Sequence, residues 1–263
     1  YGHAEQDMFL VRVHPFNAYQ PDGHTLNRVS AISDDDIRSL SVDTQLEARL
    51  RTGPLAHTLL AGVDHLRGKL SFNFANSAIG VPPLDLLNPV YGLPVTRPSS
   101  YTNSTFQAVR QTGLYLQDQI RWGRAIATLG LRHDRSSIDT TNRMLAARPV
   151  VPTEDSATTG RIGLGYVFDN GVAPYASYST SFLPVTGVDR YNQPFRAQKG
   201  RQFELGLKYE PTGGWGFMTA SLYQNDLENS LTPDPMDSQR SVQSGRQRLR
   251  GLELEAKAEL TKR

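Results

Sequence analysis

The chain has 263 residues, 28 basic and 26 acidic side chains for a net charge of +2, and no cysteine. The length allows one large β domain or two ordinary ones. A near-neutral balance without a basic block excludes a nucleic-acid footprint, and the missing cysteine excludes a disulfide frame, a thiolate metal site and a thiol nucleophile. No run approaches the roughly 18 apolar residues that a membrane-spanning helix needs. Tyr1-Gly2-His3-Ala4-Glu5 has neither the basic nor the apolar region of a signal peptide. With no initiator Met, the sequence is expected to begin inside a longer protein or after processing.

In chain order, strands are expected over 5–14, 37–51, 56–70, 106–122, 125–137, 157–168, 172–183, 199–210, 215–227 and 242–260. The second carries the clearest pattern. Leu40, Val42, Thr44, Leu46, Ala48 and Leu50 fall on one side, and Ser41, Asp43, Gln45, Glu47, Arg49 and Arg51 on the other. A period of two over about a dozen residues is a strand with one apolar and one strongly polar face. Leu129 and Leu131 alternate with Thr128, Gly130 and Arg132, although Ile126 breaks the polar side. Ile162, Leu164, Tyr166 and Phe168 oppose Arg161, Gly163 and Gly165. Phe203, Leu205, Leu207 and Tyr209 oppose Glu204, Gly206 and Lys208. The strand over 215–227 is poorly phased and its faces stay unassigned. The last strand repeats the stripe: Leu252, Leu254, Ala256, Ala258 and Leu260 against Glu253, Glu255, Lys257 and Glu259.

Strands of soluble domains average roughly 5–6 residues. Longer ones with a charged face suit a transmembrane β-barrel, with oil on one side and water on the other. The connections agree. Thr52-Gly53-Pro54, Gly123-Arg124, Asp169-Asn170-Gly171 and Pro211-Thr212-Gly213-Gly214 are tight-turn sequences. The stretches 15–36, 71–105, 138–156, 184–198 and 228–241 are long and rich in Pro, Asn and Ser. Strict alternation of short and long puts all tight turns at one end of a meander, as in outer-membrane barrels. Tyr166, Phe168, Tyr209, Trp122 and Trp215 sit at strand ends near these turns, where interface aromatics belong.

No catalytic constellation is present. The histidines His3, His14, His24, His57, His65 and His133 lack metal-ligand spacing with a third partner. Asp34-Asp35-Asp36 is read as a solvated loop tip, since no glycine-spaced calcium loop surrounds it. No serine occupies a nucleophile elbow and no phosphate-binding glycine loop occurs. Gly163 and Gly165 form a GxG within a strand, where glycine admits a close approach from another chain segment.

Eight segments together resemble the barrel of TonB-dependent siderophore receptors of the ferrichrome and hydroxamate type. They are VDTQLEARLRTGPLAHTLLAGVDH (42–65), NPVYG (88–92), GLYLQDQIRWG (113–123), ATLGLRHD (127–134), APYASYSTSFLP (173–184), GRQFELGLKYE (200–210), SLYQNDLENSL (221–231) and RLRGLELEAKAEL (248–260). The resemblance implies an all-β barrel of about 22 strands, closed by a globular plug, in the outer membrane of a Gram-negative bacterium. It implies import of a ferric siderophore, energised by the TonB–ExbB–ExbD complex acting through the plug, by a receptor that is monomeric. Iron then arrives inside the siderophore, without protein ligands or a resident cofactor. This chain has room for about ten antiparallel strands in an up-and-down meander. Residues 1–263 are therefore expected to be part of the barrel domain, without the plug and the C-terminal strands, and to form an open, curved sheet when alone.

On this reading Asp43, Glu47, Arg49, Arg51, Arg110, Arg121, Arg132, Glu204, Lys208, Glu253, Glu255 and Lys257 face a water-filled lumen and can hydrogen-bond the plug. Ligand capture falls to the long loops and upper lumen. There Tyr91, within NPVYG, leads the candidates Phe72, Phe74, Tyr101, Tyr191 and Phe195, because aromatic side chains offer apolar area at little entropy cost. Two other functions share parts of the pattern: a passive porin, and a soluble secreted β protein such as a carbohydrate-binding module.

Overall fold

The computed structural model describes residues 1–189, 191, 193–211, 213, 214 and 216–259, with the backbone alone for 237–240. The strands are β1 (Gly2–Val13), β2 (Thr25–Leu26), β3 (Arg28–Thr52), β4 (Leu55–Ser77), β5 (Leu84–Asp85), β6 (Asn103–Trp122), β7 (Ala125–Asn142), β8 (Val150–Tyr166), β9 (Val172–Leu183), β10 (Gln198–Tyr209), β11 (Gly216–Asp234) and β12 (Asp237–Ala258). Ten of them form one sheet in the order β1-β3-β4-β6-β7-β8-β9-β10-β11-β12, while β2 and β5 form a separate ribbon. Neighbours in the ten-stranded sheet are also neighbours in sequence, so it is a meander. It is open, because β1 and β12 are its two ends.

The expected strands are all present, but several run further than their apolar stripes. β3 starts at Arg28 rather than near 37, and its 25 residues reach roughly 80 Å. The hydrocarbon core of a bilayer is about 30 Å thick. A strand that continues past the oil has water on both sides and needs no alternation, so periodicity ends before the strand does. The acidic run Asp34–Asp36 accordingly lies inside β3 and is not a loop tip. The connection expected over 228–241 shrinks to Pro235-Met236 between β11 and β12, which breaks the strict long–short alternation. The ribbon of β2 and β5 joins two stretches expected to be loops. Tight turns follow β3 and β6 as expected, with Gly53 and Gly123 at φ of 60° and 57°, a region where a side chain would be strained. Thr212, Trp215 and Leu260 lie outside the described residues.

The chain divides into two compact units. The first comprises Tyr1–Ser41, Leu66–Arg110 and Ile138–Pro152. Here β1 and β3 pair without a register shift from Gly2↔Ser39 to Val13↔Arg28. Val29, Ala31 and Ile32 are buried. Ser30 is fully buried, and its hydroxyl donates to the Thr96 carbonyl at 2.8 Å. The Arg28 side chain donates to the Pro82 carbonyl at 2.8 Å.

The second unit comprises Val42–His65, Gln111–Ser137 and Thr153–Arg263. Its register builds two rows. Leu164 pairs with Ala176, Ala176 with Leu205, Leu205 with Leu222, and Leu222 with Leu252, an apolar row across five strands. One residue along, Gly163, Ser177, Glu204, Tyr223 and Gly251 form a row on the opposite side. This assigns β11: Leu222, Ala220 and Met218 share the apolar side, and Ser221 and Thr219 the polar side. The four leucines of the apolar row are each more than half exposed. Holding them in water forgoes about 1.5–3 kcal/mol apiece relative to full burial, so this face requires an apolar surrounding. No helix is long and apolar enough to cross a membrane; the strands supply the oily surface. Tyr166 and Phe168 meet edge-on at 4.8 Å beside the turn after β8, and Trp122 is exposed beside the turn after β6.

Candidate functional site

The polar side of the second unit is built from glycines and the long side chains that use their space. Asp43 accepts a hydrogen bond from the Tyr115 hydroxyl at 2.8 Å. The Tyr115 ring lies over Gly62, where a Cβ would overlap it. The Arg132 guanidinium sits 5.8 Å from the Tyr115 ring centroid. It donates to Asp64 at 2.5 and 3.0 Å and to Asp134 at 2.6 and 2.8 Å. Gln111 completes the group by donating to Asp134 at 3.0 Å. Two carboxylates sharing one guanidinium, each bonded through both oxygens, hold it in a single position.

A second cluster repeats the construction. The Tyr175 hydroxyl donates to Glu204 at 2.5 Å, and its ring occupies the space above Gly206, its direct cross-strand partner. Gln202 donates to the other Glu204 oxygen at 3.0 Å, and the Lys208 ammonium lies 5.3 Å from the Tyr175 ring centroid. Tyr175, Glu204, Lys208, Glu253, Glu255 and Lys257 line part of a concavity of about 630 Å³. Glu210 and Glu259 also border it, so five carboxylates face two ammonium groups. The concavity therefore favours a cationic partner. Tyr223 lies over Gly251 in the same manner.

The remaining charges expected in the lumen are placed as follows. Glu47 and Arg49 pair with each other along β3 at 2.7 Å. Arg51 continues their side of β3, and Arg121 the Tyr115 side of β6. Arg110 departs from the expectation: alternation along β6 puts it on the side of Leu114 and Leu116, and it pairs with Asp139 at 3.2 Å. At Gly163 and Gly165 a Cβ would fit at ordinary contact distances, its nearest neighbours lying at 3.9 Å and 3.6 Å.

Of the aromatic candidates, Phe72 and Phe74 come together. Their rings stack at 6.3 Å with an interplanar angle of 6°, and the Arg12 guanidinium lies 5.9 Å from the Phe74 centroid. Tyr101 lies on the other side of the first unit, where its hydroxyl donates to Asp34, on the Leu40 side of β3. Tyr91 is 75% exposed in the connection between β5 and β6, whose Arg97 pairs with Asp7 at 2.8 Å. In the second unit, Tyr191 is exposed in a turn whose backbone N–H groups donate to Asp189. Phe195 is buried against Gly187.

Asp64, Asp134, Tyr115 and Tyr175 are partners that the sequence pattern does not single out. The signal for the two tyrosines is a glycine facing each on the next strand, which is visible only once the register is known.

The TonB dependent receptor-like, beta-barrel family matches residues 5–261. The chain belongs to the TonB-dependent receptor family. Its sheet is thus wall of an outer-membrane β-barrel, and the exposed leucine row is the lipid face. The ferrichrome outer membrane transporter/phage receptor of Escherichia coli K12 is 38% identical over 264 residues, which are 94% of this chain and 35% of that protein. The ferrioxamine B receptor of Salmonella typhimurium LT2 is 37% identical over 238 residues, 90% of this chain and 33% of that protein. This TonB-dependent receptor chain thus spans about a third of the length of these relatives. Among solved structures, the siderophore receptor PiuA from Acinetobacter baumannii shares the fold with a TM-score of 0.79 at 19% identity, over 98% of this chain and 41% of that one.

Proposed function

We propose that this chain is barrel wall of a receptor that imports a ferric hydroxamate siderophore, energised through TonB–ExbB–ExbD. The observation that carries the reading is the polar side of the second unit, charged and hydrogen-bonded while the opposite side is bare leucine. A plug that fills such a lumen must meet carboxylates in excess around Glu204, Glu253 and Glu255. Arginine side chains of the plug suit that surface, because their planar fork bonds carboxylates through two atoms. Asp43, Arg132 and Lys208 would meet it as hydrogen-bonding groups that are already oriented. The stacked Phe72–Phe74 pair with Arg12 offers an apolar platform beside a cation, which fits the apolar skeleton and oxygen-rich head of a ferric hydroxamate. The siderophore keeps all iron coordination, no resident cofactor takes part, the receptor acts as a monomer, and the process is transport rather than catalysis.

The test is uptake of radioactive iron as ferrichrome or ferrioxamine by cells expressing the complete receptor in a strain lacking other hydroxamate receptors. Accumulation should require both the receptor and TonB. Accumulation that persists without TonB would instead indicate passive passage, and absence of uptake with either siderophore would overturn the substrate class.

A further inference from the structure

The first unit carries a side-chain group that neither the polar lumen side nor the aromatic platform uses. His3 and Glu5 are alternate residues of β1 and project to one side. Glu5 pairs directly with Asp36 of β3, and His3 with Arg38. Paired residues share a side of the sheet, so three metal-ligating groups converge across one strand boundary. His3 Nε2 lies 3.2 Å from Glu5 Oε1 and 3.5 Å from Asp36 Oδ2. One ligand atom from each of the three lies within 4.8 Å of the others, the sole such group of three among the described residues.

We propose that His3, Glu5 and Asp36 bind a divalent transition-metal ion of the zinc type. The spacing suits the ion. Bonds of about 2.0–2.1 Å at tetrahedral angles place neighbouring ligand atoms roughly 3.3 Å apart. The two nitrogen–oxygen separations bracket that distance. One imidazole with two carboxylates selects zinc, cobalt or nickel over magnesium, which prefers an all-oxygen shell. His3 and Glu5 are open to solvent, so water can complete the coordination.

Arg38 sets the strength of the site. Its guanidinium donates to both Asp36 oxygens, at 3.0 and 2.9 Å. A carboxylate offers about four lone-pair positions, so Asp36 can still reach a metal, but the fixed positive charge beside it weakens binding. The ion would sit on the Asp36–Leu40 side of β3, away from the Phe72–Phe74–Arg12 platform. It would therefore not be cargo; it would clamp β1 to β3.

The complete receptor, purified in detergent with a tag that contains no histidine, is titrated with zinc chloride by calorimetry. Zinc is expected to bind saturably in the micromolar range. His3→Ala and Glu5→Gln should each weaken it by about tenfold or more. Arg38→Met should tighten it several-fold, an outcome that a misfolded variant could not give. Equal zinc affinity in His3→Ala and the parent, or competition by magnesium at equal concentration, would overturn the assignment. So would an Arg38→Met protein that binds zinc no better than the parent.

Discussion

Gly113 and Arg132 occupy one space: a Cβ at Gly113 would overlap the Arg132 guanidinium and come within 2.9 Å of Asp134 Oδ1. The guanidinium cannot swing aside cheaply, because Asp64 and Asp134 hold it through four hydrogen bonds. Gly113→Val should therefore destabilise the barrel by about 1–3 kcal/mol through overpacking. Urea unfolding of the complete receptor in detergent measures it. An unchanged midpoint would mean that the guanidinium is free to move.

Removing the guanidinium tests the same group from the other side. Arg132→Met leaves Asp64 and Asp134 facing each other, with Asp134 only 6% exposed in its side chain. The expected cost is about 1–3 kcal/mol, the scale of a buried group that loses its partner. Asp64→Asn in the Arg132→Met background should recover part of it, since the repulsion is then gone. If the second change adds to the damage, the carboxylate pair is not the source of the cost.

Tyr175 and Gly206 should behave as a coupled pair. Gly206→Ala drives the ring from its seat and pulls the hydroxyl from Glu204. The same substitution beside Tyr175→Ala meets no ring and should cost little. A double-mutant cycle should give a coupling of roughly 0.5–3 kcal/mol, and additivity would refute the shared seat.

These pairs show where sequence reading stops. The stripe Leu40–Leu50 and the row Glu204–Gly206–Lys208 were legible because oil on one side and water on the other impose a period of two. The meander and the tight turn at Gly53 followed from the same reasoning. The upper half of β3 was not legible, because Ser30, Asp34 and Asp36 stand above the oil, where no alternation is required. Neither was the β11–β12 turn, because the sequence over 228–241 is mostly polar and shows no apolar alternation. Individual site partners depend on register. Asp64 and Arg132 are 68 residues apart, and nothing local in either strand announces the other.

The two loops that meet in the β2–β5 ribbon carry a pH dependence of definite sign. Asp22 is held below the ordinary 3.8 chiefly by the Thr25 hydroxyl, then by the Thr25 backbone N–H. Asp85 is lowered chiefly by the Leu87 backbone N–H. Its carboxylate also lies 3.0 Å from His24 Nδ1. A carboxylate lowered on folding contributes stability above its unfolded value, and that contribution is lost as pH falls through the folded one. The ribbon should thus keep these contributions above about pH 4 and lose them below it. Limited proteolysis of the loops at pH 7 should be faster in Asp22→Asn and Asp85→Asn than in the parent. Equal rates would show that the two carboxylates do not order the ribbon.

The lipid face makes the sharpest demand on a single residue. Leu222 stands between Leu205 and Leu252 in the apolar row, and more than half of it is exposed. In a soluble protein an exposed leucine tolerates arginine with little change. In a barrel wall, arginine at that depth must leave water, at about 2–4 kcal/mol near the bilayer midplane and nearly nothing at the interface. Leu222→Arg should therefore lower folding stability of the complete receptor in lipid vesicles by about that amount. Ser221→Arg is a poor control, because Ser221 is buried. Glu255→Arg serves better, since Glu255 pairs with Thr219 on the polar side of the same ladder, where an arginine keeps its charge in water. The prediction is thus a contrast: a large loss at Leu222, a small one at Glu255, both read from unfolding midpoints in vesicles of one composition. Equal losses would mean that the leucine row does not face lipid.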